Sequence, residues 1–181
     1  MIYRGKYKVT QPYKGTAHQG IDLVGLDSKI IRSPVDGIVV RAAKDTYYDG
    51  GMGNYVKILD KSSRRHLFAH LSEFYVYEGQ TVKVGDKVGL EGNTGHSFGS
   101  HCHYEVRQTD LSSSHLNVAE LMSIPNKLGT YEGMKMTKEE AKLIVKNKAR
   151  LDDKSIQYIA DDYRWGDILI VKLAEAMEET K

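Results

Sequence analysis

Only one cysteine, Cys102, stands in the 181 residues. An intramolecular disulfide is excluded, and so is a thiolate cluster, so any metal bound here must sit on histidine and carboxylate. Long apolar runs are also missing. No stretch approaches the length of a membrane span, and no membrane insertion is expected. The opening residues, Met1–Gly15, have no apolar core of the kind a signal peptide carries. The expectation is a chain made in the cytoplasm without a signal peptide. Charge of one sign is lacking too: 26 basic against 24 acidic side chains leave a net charge of +2, which makes no electrostatic case for nucleic acid. Phenylalanine is down to three, against twelve tyrosines and seventeen glycines, a balance that leans towards a turn-rich β protein. Hydrophobic (40%) and charged (28%) fractions are those of an ordinary globular chain, long enough for one domain with a core and a small appendage.

What is present is concentrated histidine. In Gly92–Arg107 a glycine-rich turn runs into His101-Cys102-His103 and a segment of alternating character. As a strand, it places His101, His103, Glu105 and Arg107 on one face and Cys102, Tyr104 and Val106 on the other. Two imidazoles on one strand face can converge on a single metal or reacting centre. The glycines do not make a phosphate loop, since no Gly-Lys-Ser/Thr follows and no helical pattern begins there.

Upstream, residues 1–17 read as an irregular, partly extended segment. His18 and Asp22 follow, on one side of an extended stretch, with Gly20 allowing close backbone approach. Alone, that pair is a weak signal and better describes a surface turn with a capping aspartate. From Ser33 on, short β-strands are expected over Gly37–Ala42, Tyr55–Asp60, His66–Leu71, Thr81–Val84 and Lys87–Leu90, punctuated by Gly turns. In the third of these, alternation puts His66, Phe68 and His70 on one face. Either imidazole can equally be a solvated side chain. His70, at the strand end before the Ser72-Glu73 turn, is the better functional candidate.

After Arg107 the pattern changes. Leu116–Met122 predicts a short helix, and residues 126–136 read as a linker with Gly129 and Gly133. Thr137-Lys138-Glu139-Glu140 is a capping box opening a helix. A second helix is expected from Asp152-Asp153 and a third from about Asp167. The expected layout is a β domain over 1–125, a linker over 126–136 and a small helical module over 137–181, serving binding, docking or oligomerisation. Charges from residue 126 onward cancel. Tyr158, Tyr163 and Trp165 read as packing aromatics, or alternatively as a stacking surface.

Taken together, His18, Asp22 and His103 supply two nitrogens and one carboxylate oxygen, the donor set of a catalytic Zn2+ site with one position open. His70 and His101 are the imidazoles available to act on a water and on the leaving amine. Such a centre hydrolyses amides.

These motifs resemble those of the lysostaphin/LytM-type zinc metalloendopeptidases, which cleave peptides of bacterial peptidoglycan. His18 and Asp22 match the family's His-x-x-x-Asp, and His101 and His103 match its His-x-His. Ala69-His70-Leu71 matches its intervening motif. Gly53–Val56, Gly79–Asp86 and Gly92–Gly95 follow the family pattern as well, over residues of about 10 to 107. The resemblance implies His18, Asp22 and His103 as zinc ligands and His70 with His101 as the catalytic pair. It also implies a compact antiparallel β-sheet with an open groove walled by the Tyr47–Asn54 and Thr94–Ser100 loops, so the fold class is mainly β plus a small C-terminal α-helical module. Ser100 and Cys102 replace the family's usual Pro and Leu, and Cys102 is expected to face the core. No metal or catalytic position is lost. The resulting expectation is a zinc-dependent peptidoglycan endopeptidase, a phage or prophage lysin acting on the wall after release. The alternative is a zinc-retaining module that binds wall peptides without cutting them.

Overall fold

The computed structural model describes residues 1–44, 51–151, 155–156 and 166–179. Eleven strands are found among them: β1 (Lys6–Gln11), β2 (Ile21–Gly25), β3 (Ile30–Arg32), β4 (Gly37–Lys44), β5 (Asn54–Asp60) and β6 (Arg65–Leu71). Then come β7 (Glu73–Phe74), β8 (Thr81–Val82), β9 (Lys87–Leu90), β10 (Cys102–Arg107) and β11 (Gly129–Glu132). Eight form one antiparallel sheet in the order β11-β1-β2-β10-β6-β5-β4-β8, and β3-β9-β7 form a smaller one. The mainly antiparallel β architecture read from the sequence is the one observed.

Alternation decides what each face of the large sheet does. Cys102, Tyr104 and Val106 of β10 are fully buried, packed with Phe68, Leu23, Val56 and Ile58. Phe68 stacks flat on Tyr104, ring centroids 4.9 Å apart. On the opposite face the register places His103 beside Asp22 of β2 and Ala69 of β6, then Glu105 beside Leu67 and Arg107 beside Arg65. Tyr55, Leu67 and Ala69 make a small buried cluster there.

Two expectations about the edges are corrected. The first residues are not an irregular lead-in: β1 pairs with β2 on one side and β11 on the other. For the same reason residues 126–136 are not simply a linker. Gly129–Glu132 adds a strand to the sheet, and Asn126 bonds to Tyr13 through both amide atoms. The chain divides into compact units at Met1–Met134 and Lys135–Lys181.

In the second unit, α2 (Lys138–Ala149) opens on the expected capping box. The Glu140 amide donates to Thr137 Oγ1 at 3.2 Å, and the Thr137 amide donates to Glu140 Oε2 at 2.9 Å. The helix that follows Val118 in the first unit, α1, is a single turn, Val118–Leu121, and the last helix, α3, is Gly166–Glu179. Met136, Ala141, Val145, Ile156, Ile170 and Ala174 form a core internal to the second unit. The start of the expected middle helix at Asp152-Asp153, and Tyr158, Tyr163 and Trp165, lie outside the described residues. Among the described residues no helix is long and apolar enough to cross a membrane.

His66 is not solvated but completely buried. Its Nδ1 accepts from the Tyr104 hydroxyl at 2.8 Å and its Nε2–H donates to Asp60 Oδ2 at 3.2 Å, which fixes a neutral imidazole. Burial, outweighing the pull of Asp60, holds its pKa below the ordinary 6.5. Asp60 is also depressed: burial alone would raise it, but hydrogen bonds from the Arg64 backbone, His66 and the Arg64 guanidinium prevail. The folded state therefore binds fewer protons than the unfolded one as pH falls below about 6.5, and these groups contribute stability that is lost on acidification. The His66 ring is expected to lose its neutral NMR signature at a lower pH than a free imidazole does. The loss of urea stability between pH 7 and 5 is expected to shrink in His66→Gln.

Candidate metal centre and groove

Three backbone devices bring the histidines together. His18 ends a short 3-10 turn, Gly15–Ala17, that leads into β2 four residues before Asp22. Between them Gly20 passes so close to β10 that a Cβ there would stand 2.6 Å from His103 Nε2 and 2.8 Å from the Tyr104 carbonyl. The second device is the pair of glycine turns at Gly53 and Gly95. Both have positive φ, 62° and 71°, and they pack backbone against backbone. Thr94 ties them down, accepting from the Asn54 amide at 2.9 Å and donating to the Leu71 carbonyl at 2.8 Å.

The third device is at His70 itself. Its φ of 62° is left-handed, unusual for a residue other than glycine. Its amide donates to the Met52 carbonyl and its Nδ1–H to the Thr94 carbonyl at 2.9 Å. This overturns the alternation that grouped His70 with His66 and Phe68. β6 runs on through His70, but its register with β5 shifts there, and the ring faces His101 and His103, with centroids 4.8 and 6.0 Å away.

His18, Asp22 and His103 converge. Asp22 Oδ1 lies 3.2 Å from His18 Nε2 and 2.8 Å from His103 Nδ1, and the two nitrogens are 3.2 Å apart. Their donor atoms form a group able to hold a metal ion. His101 Nε2 is 3.7 Å from the same oxygen.

Each imidazole has its remaining nitrogen committed to an acceptor. His18 Nδ1–H donates to the Pro12 carbonyl and His101 Nδ1–H to the Gly99 carbonyl, both at 2.8 Å, while His103 Nε2–H donates to Glu105 Oε1 at 2.8 Å. A carbonyl or carboxylate oxygen can only accept, so His18 Nε2 and His103 Nδ1 are the nitrogens left to face Asp22 Oδ1, donating to it when protonated and free to turn their lone pairs to an ion bound there. Two such nitrogens and a carboxylate oxygen, with their outer partners already in place, fit a zinc-type ion.

Electrostatics agree with that use. Burial alone would raise Asp22, but hydrogen bonds from His103 and His18 hold it well below the carboxylate range. In the metal-free chain burial would lower His103, yet bonding to Asp22 and Glu105 raises it to about 9. Glu105, despite burial, is brought down to about 2 by His103 and Arg107. His70 is lowered to about 4, first by burial and then by the neighbouring His101 and His103, so its ring is neutral at physiological pH.

Alternation places Glu105 on the ligand face without assigning it a role there. Its position two residues beyond a ligand on the same strand face was the available signal. Glu105→Gln is expected to weaken zinc affinity by about 10- to 100-fold, read by competition with a chromogenic chelator.

The donors open on a groove of about 470 Å³. The Thr94–Ser100 loop walls it as expected, through His96, Phe98 and Ser100, with Phe98 95% exposed. Of the other expected wall, Tyr47–Gly50 lies outside the described residues. Ser100, where the resemblance leads one to expect proline, donates to Glu91 Oε1 at 2.8 Å. Glu91 is itself buried and bonded to Tyr3, the Gly25 amide and Lys29. Cys102 is fully buried on the opposite face, its thiol pushed up by burial, and offers no nucleophile to the groove.

An antiparallel sheet thus brings two histidines and an aspartate together at a groove, as a group that could hold a metal ion. The chain belongs to peptidase family M23, whose model, Peptidase family M23, matches residues 16–117. It is 36% identical over 118 residues to an uncharacterized metalloprotease of Haemophilus influenzae, covering 65% of this chain and 22% of that one. It is 34% identical over 112 residues to the peptidoglycan DD-endopeptidase ShyA of Vibrio cholerae, covering 61% and 25% respectively. The chain thus spans about a quarter of the length of these curated relatives. Its fold is similar to the catalytic domain of the antimicrobial peptidase lysostaphin from Staphylococcus simulans, with a TM-score of 0.55 at 24% identity over 67% of this chain and 92% of that one.

Proposed function

We propose that the chain is a zinc-dependent endopeptidase that hydrolyses amide bonds in peptidoglycan stem or cross-bridge peptides. The observation that carries this reading is the convergence of His18, Asp22 and His103 on one oxygen-centred cluster, with the His70 and His101 rings beside it at one groove. Membership of the M23 family and the likeness to a peptidoglycan DD-endopeptidase support the substrate class.

In this reading His18 Nε2, His103 Nδ1 and Asp22 Oδ1 hold the ion. Bound zinc supplies a water of lowered pKa and polarises the scissile carbonyl. The chain's own residues do the rest. His70, neutral and held through Nδ1 by Thr94, presents Nε2 as a base for the attacking water's proton. His101, held the same way by Gly99, presents Nε2 beside it; with the proton that the water gives up passed to that nitrogen, it would stabilise the developing oxyanion through Nε2–H and return the same proton to the leaving amine. The setting that goes with this reading is a phage or prophage lysin, tested by lysis of cells exposed to the purified protein.

Release of new amino groups from purified peptidoglycan tests the reading. Release that stops with a chelator and returns with zinc supports it. No release from several wall chemotypes, with zinc bound, would point to a module that holds wall peptides without cutting them.

A further inference from the structure

Residues 92–101 leave the small sheet after β9 and enter β10, and the two ends of this segment meet in a backbone bridge. There the His101 amide donates to the Gly92 carbonyl at 3.0 Å. The two halves of the segment are tied down differently. Thr94 bonds to the Leu71 carbonyl of β6, and the His96 amide donates to the Gly51 carbonyl at 2.8 Å. Among the described residues, 97–100 make a single hydrogen bond to a residue outside the segment, from Ser100 Oγ–H to Glu91 Oε1 at 2.8 Å.

The Glu91 side chain is fully buried, and that bond is one of four it accepts. Oε1 also accepts from Lys29 Nζ at 2.8 Å, while Oε2 accepts from the Tyr3 hydroxyl at 2.7 Å and the Gly25 amide at 2.8 Å. Four donors on two oxygens fix the carboxylate in place and in plane. One of them, Gly25, ends β2, the strand that carries Asp22. The loop end that presents His101 is thus anchored to the strand that presents Asp22.

What the bond restrains is the backbone just before His101. The Gly99 carbonyl accepts from His101 Nδ1–H at 2.8 Å, so the direction of the ring follows the Gly99 peptide, next to Ser100. His101 Nε2 then stands 3.7 Å from Asp22 Oδ1, and its ring 4.8 Å from that of His70. Neither glycine nor serine fixes its own φ as a proline ring does, which leaves the restraint to the Ser100 hydroxyl.

We infer that Glu91 is a positioning residue for His101, acting through the Ser100 hydroxyl. The inference rests on the role given to His101 above. Ser100 lines the groove, whereas Glu91 is buried and acts only through it.

Glu91 itself is a poor target, because its removal leaves the Tyr3 hydroxyl, the Gly25 amide and Lys29 without their acceptor. Ser100 is exposed, so Ser100→Ala removes one end of the bond cleanly, and Ser100→Thr keeps a hydroxyl there. The measurement uses zinc-loaded protein and a soluble cross-linked peptidoglycan fragment. Ser100→Ala is expected to lower kcat about tenfold, less than the roughly 100-fold loss that a misplacement of about 1 Å brings. KM and zinc affinity are expected to stay at wild-type values, and Ser100→Thr to restore kcat. A wild-type kcat in Ser100→Ala, a loss that comes with weaker zinc binding, or no recovery in Ser100→Thr overturns the inference. If wild type cleaves no substrate, the endopeptidase reading falls, and hydrogen exchange at the His101 amide decides the positioning role separately. Faster exchange in Ser100→Ala that Ser100→Thr reverses upholds it, and equal exchange in all three proteins overturns it.

Discussion

Replacing His70 by alanine is expected to lower kcat on cross-linked peptidoglycan peptides by about 10²- to 10⁴-fold, the range for a positioned general base, while the protein retains its zinc. The reason is positional. His70 donates no ligand atom to the cluster of His18, Asp22 and His103, yet its ring centroid lies 4.8 Å from that of His101 at the same groove. It is held in a left-handed conformation, φ 62°, by the Met52 and Thr94 carbonyls. Strain of that kind persists only where surrounding structure imposes it, and here the glycine turns at Gly53 and Gly95 do so. His70→Asn, which tolerates the same backbone, separates loss of the imidazole from loss of the turn. Metal content by mass spectrometry and turnover measured on the same samples check the prediction. An unchanged kcat in both variants would remove His70 from the mechanism.

His103→Ala is expected to be more severe, with zinc lost and turnover lowered by at least about 10³-fold, the equivalent of several kcal/mol of metal-derived stabilisation. His103 is the hub of the site. It meets Asp22 through one nitrogen and Glu105 through the other, and Glu105 in turn is held by Arg107. Removing the ring deprives the ion of a ligand and leaves Glu105 paired with Arg107 alone in a buried position. Zinc retention through dialysis, measured beside the melting temperature, distinguishes a lost ligand from a lost fold. Loss of zinc with melting preserved is the expected pattern.

Much of this was legible in the sequence because it is written in period two. Cys102, Tyr104 and Val106 go to the core and His103 and Glu105 to the opposite face, as alternation requires. The bounds of β9 agree with the hydrophobic pattern, and Thr137 with Glu140 make the cap their spacing predicts. What was not legible depends on partners far away in the chain. β1, with lysines at alternate positions, reads as irregular until β11 arrives more than a hundred residues later to flank it. His66 looks solvated until Tyr104 and Asp60 close around it. The side to which His70 points is set by a left-handed φ that no alternation rule contains. The buried Glu91 that anchors Ser100 likewise has no local signature, since its partners come from Tyr3, Gly25 and Lys29.

The most direct test of the central claim is a titration of metal-free protein with zinc, following bound metal and amide hydrolysis in the same tube. Activity is predicted to rise in proportion to zinc and to saturate at one ion per chain, and His103→Ala should show neither tight binding nor activity. Hydrolysis that is complete before any zinc is added, or that persists in His103→Ala, would contradict the assignment of His18, Asp22 and His103 as the ligands of a catalytic ion.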